Sequence, residues 1–165
     1  MAKVFLGLGT NLGDKRNNLL TAVNHIEEKI GKVTSLSSFY ETEPWGMESK
    51  NWFVNAVIQV TTSLSPEQLL DECQRIETLL GRPSTRSQEY SDRTVDIDII
   101  FYDKLIMNTD RLTIPHKHFH KRVFMLVPML EIAEDFVHPF FGKTVASLHD
   151  AIENPEEVCL YGTRL

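Results

Sequence analysis

Apolar positions along this chain change period several times, and the changes mark out its elements. Residues 3–8 (KVFLGL) form a short apolar run closed by Gly9, Thr10 and Asn11, the pattern of a strand running into a turn. Over 15–30, Leu19, Leu20, Val23, Ile26 and Ile30 recur at helical spacing, and Gly31 follows as a stop signal. Residues 32–43 read as a strand carrying Val33, Leu36, Phe39 and Tyr40. Residues 44–52 (PWGMESKNW) read as a loop with two exposed tryptophans. The run 53–62 (FVNAVIQVTT) is strongly β-prone.

The clearest helix start comes next. Ser65 can cap, Pro66 takes the first helical position, and Gln68 completes a capping box. Leu69, Leu70, Cys73, Ile76 and Leu80 then share one face, and Gly81 ends the helix. Residues 82–92 (RPSTRSQEYSD) have no apolar period and read as a mobile loop before a strand over 94–102. Leu105–Ile106 and Arg111–Ile114 predict a small hairpin. Met125, Leu126, Met129 and Leu130 predict a further helix, with Pro128 bending it.

The order is β-α-β-β-α-β with a small extra hairpin and C-terminal helices. It predicts an α+β, ferredoxin-like sandwich in which helices cover one face of an antiparallel sheet. No repeat or linker divides the 165 residues, so a single domain over 1–165 is expected.

Composition adds exclusions. Hydrophobic content of 42% and charged content of 24% are those of an ordinary globular chain. No apolar run approaches the roughly 20 residues needed to cross a bilayer, and the N-terminus lacks a signal-peptide pattern. A cytoplasmic protein with no membrane partner is expected. Two cysteines in no ligand spacing predict a buried thiol at Cys73 and no disulfide. A net charge of −6 argues against nucleic-acid binding. Between Arg82 and Arg122, however, Arg86, Arg93, Arg111, Lys117 and Lys121 accompany three histidines, enough to receive a compact polyanion.

The strand 94–102 holds the sharpest chemical signal, the pair Asp96 and Asp98. Strand alternation points both carboxylates to one face, with Val95, Ile97 and Ile99 on the other. Two like charges side by side call for positive compensation. An edge strand with one solvated face is the plain alternative. The flanking arginines and histidines favour Mg²⁺, a hard cation that keeps waters and substrate phosphates in its shell, or two such ions set for in-line displacement at phosphorus. GLGTNLG (7–13) is off the dinucleotide spacing by one residue, so a turn with close-packed glycines is favoured over a phosphate loop. Gln74 and Glu77, one turn apart, read on spacing alone as a polar margin. Arg82, Arg86 and Arg93 can clamp phosphate, and His116, after the proline of LTIPH, can donate to it.

The blocks LGLGTNLGD, SSFYETEPWG, NWFVNAVIQVTTSLSPEQLL, QRIETLLGR, RTVDIDII, LTIPH and RVFMLVP stand in this order. Together they resemble the 6-hydroxymethyl-7,8-dihydropterin pyrophosphokinases of folate biosynthesis. The resemblance covers all but about the last 25 residues. It implies transfer of the β,γ-pyrophosphoryl group of ATP to the pterin hydroxymethyl, releasing AMP. Asp96 and Asp98 would hold two Mg²⁺ ions. Arg82 and Arg93 would assist transfer. Gln74, Glu77, Arg86, Tyr90, Arg93, Ile99, Arg111, Thr113, His116 and Arg122 would meet ATP. Thr42, Pro44, Trp45, Phe53, Asn55, Asp96 and Phe124 would form the pterin pocket, with Phe53 and Phe124 stacking on the ring. Loops 44–52 and 82–92 would close over the substrates. The chain, which starts with methionine, fits a standalone enzyme as well as a piece of a longer folate-synthesis polypeptide, and is expected to be a monomer.

The chain departs from the family pattern just before the motif arginine, where Tyr90, Ser91 and Asp92 replace a common tryptophan, glycine and proline. Lys117 stands where an aromatic residue is common. A nucleotidyltransferase using the same aspartate pair would release pyrophosphate instead of AMP. A ligand-binding regulatory module of the same fold would have no need of two carboxylates among arginines.

Overall fold

The computed structural model describes residues 1–43, 51–81 and 94–162. Its elements are β1 (Ala2–Thr10), α1 (Lys15–Lys29), β2 (Gly31–Leu36), β3 (Tyr40–Thr42), β4 (Phe53–Thr62), α2 (Pro66–Leu79) and β5 (Asp96–Tyr102). There follow β6 (Met107–Asn108), β7 (Thr113–Ile114), a 3-10 turn at Phe119–Lys121, α3 (Val123–Ala133), α4 (Val145–Asp150) and β8 (Val158–Leu160). Among the described residues the main sheet runs β5-β1-β4-β3-β8, with β2 also on β4, and every pairing is antiparallel. This is the ferredoxin-like α+β fold with a small hairpin, β6–β7, whose first arm is Met107–Asn108 rather than Leu105–Ile106.

Local signals explain most boundaries. Asp14 caps α1 by accepting from Asn17 N at 3.1 Å. Ser65 and Gln68 form both bonds of the capping box on α2, and Pro66 opens the helix. Helix α3 continues through Pro128. Cys73 is fully buried, as the spacing predicted.

Five further features differ from the pattern reading. β1 runs on through Gly9 and Thr10, because β4 pairs with it as far as Thr10 and β5 as far as Gly9, satisfying its backbone. The expected strand 32–43 is two strands. It breaks at Ser37, whose hydroxyl accepts from Val57 N at 2.9 Å while its own N–H donates to Val57 O at 3.0 Å. The C-terminal addition is not only helical, since β8 pairs with β3. Trp52 is partly buried rather than exposed.

Helices also cover both faces of the sheet. Val4, Leu6, Leu8, Ile97 and Ile99 pack with Leu19 and Ile26 of α1 and Leu69 and Ile76 of α2. Phe5, Val57, Ile100 and Phe101 pack on the other face with Phe119, Met125, Met129 and Leu148. A bulge in β5 makes the second cluster possible. The partner of β1 jumps from Phe101 at Phe5 to Ile99 at Leu6, so Ile100 is the extra residue. Ile100 and Phe101 therefore turn to the same face, ending the alternation that begins with the aspartates.

Candidate active site

The face that carries Ile100 and Phe101 at one end of β5 carries Asp96 and Asp98 at the other. Both are partly exposed, whereas Val95, Ile97 and Ile99 are buried in the opposite cluster. Opposite Asp96 and Asp98 on β1 stand Gly9 and Gly7. Two glycines leave the sheet bare beside the carboxylates. A Cβ on Gly9 would lie 3.0 Å from Asn55 Oδ1, and one on Gly7 would lie 3.4 Å from Ile100 Cδ1. The glycine motif is thus part of the site floor, a role that neither sequence reading of it named.

Across these glycines lies β4. Asn55 pairs with Gly9 on one side and Tyr40 on the other. Its side chain, 6% exposed, donates through Nδ2 to Thr42 Oγ1 at 2.8 Å. That bond fixes the amide, leaving Oδ1 directed over Gly9. Phe53 is partly buried next to Gly9, and Phe124 is partly buried in the first turn of α3 on the same side of the sheet. Thr42, Phe53, Asn55, Asp96 and Asp98 are therefore brought onto one continuous face.

His116 closes this face from the β7 side. Its N–H donates to Ile100 O at 2.9 Å, after the cis Ile114–Pro115 bond. Its Nδ1 accepts from His118 N at 3.2 Å, so the neutral ring carries its proton on Nε2. Burial, then His118 and Arg122, push its pKa down to about 4 against the opposing pull of Asp96. The ring is a neutral donor near the aspartates at physiological pH. Arg122, 9% exposed, is the permanent cation beside it.

The C-terminal segment reaches the same place, which no motif foretold. β8 pairs with β3 so that Val158 stands opposite Thr42, and Gly162 N donates to Glu41 Oε1 at 2.9 Å. Burial raises the Glu156 pKa, while Arg122 pulls it down and Glu43 raises it. This segment had no hydrophobic period strong enough to place it, and its position follows from pairing with a strand more than a hundred residues away.

The nucleotide candidates are placed more widely. Glu77 is 2% exposed, and its Oε2 accepts from Ile97 N at 2.8 Å. It therefore holds the strand between the two aspartates from its free edge. Ile99 has a buried side chain, 5% exposed. Antiparallel alternation turns its peptide groups to the same outer edge as the Ile97 N–H. Gln74 is exposed on α2 and Thr113 partly exposed in β7. Arg111 is paired with Asp71 of α2 at 2.6 Å. Pro44, Trp45, Arg82, Arg86, Tyr90 and Arg93 lie outside the described residues, as do the loops 44–50 and 82–92.

Among the described residues no cluster of three or more His, Cys, Asp or Glu side chains converges on one point. Two carboxylates on an open face fit Mg²⁺, whose remaining positions go to water and substrate phosphate. No helix among the described residues is long and apolar enough to cross a membrane.

Residues 5–134 match the family model described as 7,8-dihydro-6-hydroxymethylpterin-pyrophosphokinase (HPPK). The chain is 41% identical over 146 residues to a protein of Methylorubrum extorquens named 2-amino-4-hydroxy-6-hydroxymethyldihydropteridine pyrophosphokinase, covering 88% of this chain and 90% of that one. It is also 41% identical to the folic acid synthesis protein fol1 of Pneumocystis carinii, covering 90% of this chain but 20% of that protein. Among solved structures, an HPPK-DHPS in complex with substrates superposes with a TM-score of 0.72 at 17% identity, over 90% of this chain and 43% of that one. That likeness concerns the fold.

Proposed function

The chain belongs to the 7,8-dihydro-6-hydroxymethylpterin-pyrophosphokinase family, and on that premise we propose that the face bearing Asp96, Asp98, Asn55 and Thr42 is its active site. The reaction is transfer of the β,γ-pyrophosphoryl group of ATP to the hydroxymethyl of 6-hydroxymethyl-7,8-dihydropterin. Its products are the pterin pyrophosphate and AMP, on the route to tetrahydrofolate. Mg²⁺ dependence, with two ions at the aspartate pair, and action as a cytoplasmic monomer belong to the same proposal.

One observation carries the assignment: Asp96 and Asp98 face Gly9 and Gly7, and the bonded pair Asn55–Thr42 stands just beyond. This sets an anionic edge against a neutral polar reader across a floor without side chains. A pterin is flat, with donors and acceptors on its rim. Asn55 and Thr42 suit that rim, and Phe53 and Phe124 suit its faces. The hydroxymethyl then points toward Asp96, which can take up its proton.

Phosphoryl transfer leaves little covalent work to the protein, so orientation and charge neutralisation carry the rate. When bound at Asp96 and Asp98, Mg²⁺ would neutralise phosphate oxygens and help ionise the hydroxyl. Arg122 and neutral His116 would hold phosphate oxygens as charged and uncharged donors. Arg82 and Arg93 would supply the mobile positive charge, with Arg86 and Tyr90 also contacting ATP and Pro44 and Trp45 completing the pterin pocket. Gln74, Arg111, Thr113 and the Ile99 backbone would meet the nucleoside end. Glu77 would serve ATP indirectly, by holding the β5 edge in place.

The product distinguishes this reading from its relatives in chemistry. Incubation with ATP, Mg²⁺ and the hydroxymethyl pterin should yield AMP and the pterin pyrophosphate in equal amounts. Release of inorganic pyrophosphate would indicate nucleotidyl transfer, and binding without turnover would indicate a regulatory module.

A further inference from the structure

Arg111 sits at the tip of the β6–β7 hairpin, and that tip is held without it. Thr109 N donates to Leu112 O at 2.9 Å, Leu112 N donates to Thr109 Oγ1 at 3.1 Å, and Thr113 Oγ1 donates to Asn108 Oδ1 at 3.2 Å. Leu112 and Ile114 anchor the hairpin in the core, 9% and 1% exposed. What remains free is the arginine side chain itself. Asp71 takes hold of it: a terminal guanidinium nitrogen lies 2.6 Å from Asp71 Oδ1, and the other lies 3.9 Å from Glu67 Oε2.

We propose that Asp71 is a positioning residue of the pyrophosphokinase reaction, holding the Arg111 guanidinium on α2 so that it is already oriented when ATP arrives. The inference rests on Arg111 being an ATP contact. Asp71 lies three residues before Gln74, so the two are neighbours on the helix surface and the ion pair sets Arg111 beside another nucleotide candidate. A guanidinium has five N–H donors in a fixed fork. Asp71 occupies one of them and leaves others for a ligand. An unheld arginine would lose its rotamer freedom on binding; here that loss precedes ATP.

A carboxylate near a nucleotide also repels phosphate, and the two effects oppose. The repulsion is the weaker. Asp71 is six residues from Glu77, the residue that grips the aspartate strand, which is about 9 Å of helix rise. The Debye length in physiological salt is about 8 Å, so an exposed charge at that remove is largely screened. Contact with Arg111 at hydrogen-bond distance is not.

Steady-state kinetics at physiological salt test this. Asp71→Asn should raise the KM for ATP about two- to fivefold, the range of an exposed ion pair. The kcat, the pterin KM and the melting temperature should stay unchanged, and Asp71→Glu should restore ATP affinity. Arg111→Met should raise the ATP KM at least as much, with Asp71→Asn adding nothing in that background. An unchanged or lower ATP KM in Asp71→Asn, while Arg111→Met raises it, overturns the positioning role and leaves Arg111 as an ATP contact. An equal effect of Asp71→Asn with and without Arg111 overturns it too. If Arg111→Met leaves the ATP KM unchanged, the ATP role of Arg111 fails and the role of Asp71 falls with it.

Discussion

Lowering the pH should destabilise this protein through two histidines that share one device. His116 Nδ1 accepts from His118 N, and His138 Nδ1 accepts from Phe140 N at 3.2 Å and Phe141 N at 3.1 Å. Protonating either Nδ1 would set a donor against backbone donors. His138 is also 3% exposed, against the rings of Phe101 and Phe141. Burial pushes each pKa down from 6.5 to about 4, helped by His118 and Arg122 at His116 and by His120 at His138. The unfolded chain therefore takes up protons before the folded one does. Stability is full above about pH 6.5, falls with pH through the window from 6.5 to 4, and is lost no further by this route below it. From 6.5 to 5 is 1.5 pH units at about 1.36 kcal/mol each, or about 2 kcal/mol per histidine at pH 5. Urea unfolding at pH 7.5 and pH 5 measures it. The wild type should lose about 4 kcal/mol from the pair, and His138→Gln, which keeps a side-chain acceptor, about 2 kcal/mol less. An identical pH dependence in wild type and His138→Gln would refute the reasoning, as would greater stability at pH 5.

Substitutions at three positions probe the frame, two beside the site and one at the far end of β4. Gly9→Ala puts a Cβ 3.0 Å from Asn55 Oδ1. Displacing that amide should raise the pterin KM about tenfold, the equivalent of one hydrogen bond, with the ATP KM unchanged. Glu77→Ala leaves the Ile97 N–H without its 2.8 Å acceptor. It should lower stability by about 1–3 kcal/mol and reduce turnover, whereas Glu77→Gln keeps an acceptor and should retain more of both. Gly31→Ala would drive a Cβ into the Thr61 carbonyl oxygen. It should destabilise by more than about 2 kcal/mol in thermal unfolding, since only backbone movement in the β2–β4 pairing relieves it.

Elements with strong local signals were legible in the sequence. The α2 capping box, the aspartate alternation and the buried Cys73 all follow from side-chain spacing, and all stand as the pattern predicted. What spacing could not reveal depends on partners far along the chain. β1 continues through its glycines because β4 and β5 flank it, and β8 is a strand because β3 offers it an edge. The Ile100 bulge, which hands β5 from polar to apolar on one face, depends on how β5 pairs with β1, which spacing within β5 does not give. Glu77 shows the same limit at the site. Its spacing marked a polar helix margin, yet it is buried and bonded to the strand that carries the aspartates.

The central claim is that Asp96 and Asp98 form the catalytic edge of this face. AMP release from ATP, Mg²⁺ and the hydroxymethyl pterin, measured for wild type, Asp96→Ala and Asp98→Ala with folding checked by circular dichroism, tests it most directly. The account predicts AMP release by the wild type that stops when Mg²⁺ is chelated, and loss of turnover in both folded variants. Normal turnover in both folded variants would contradict it.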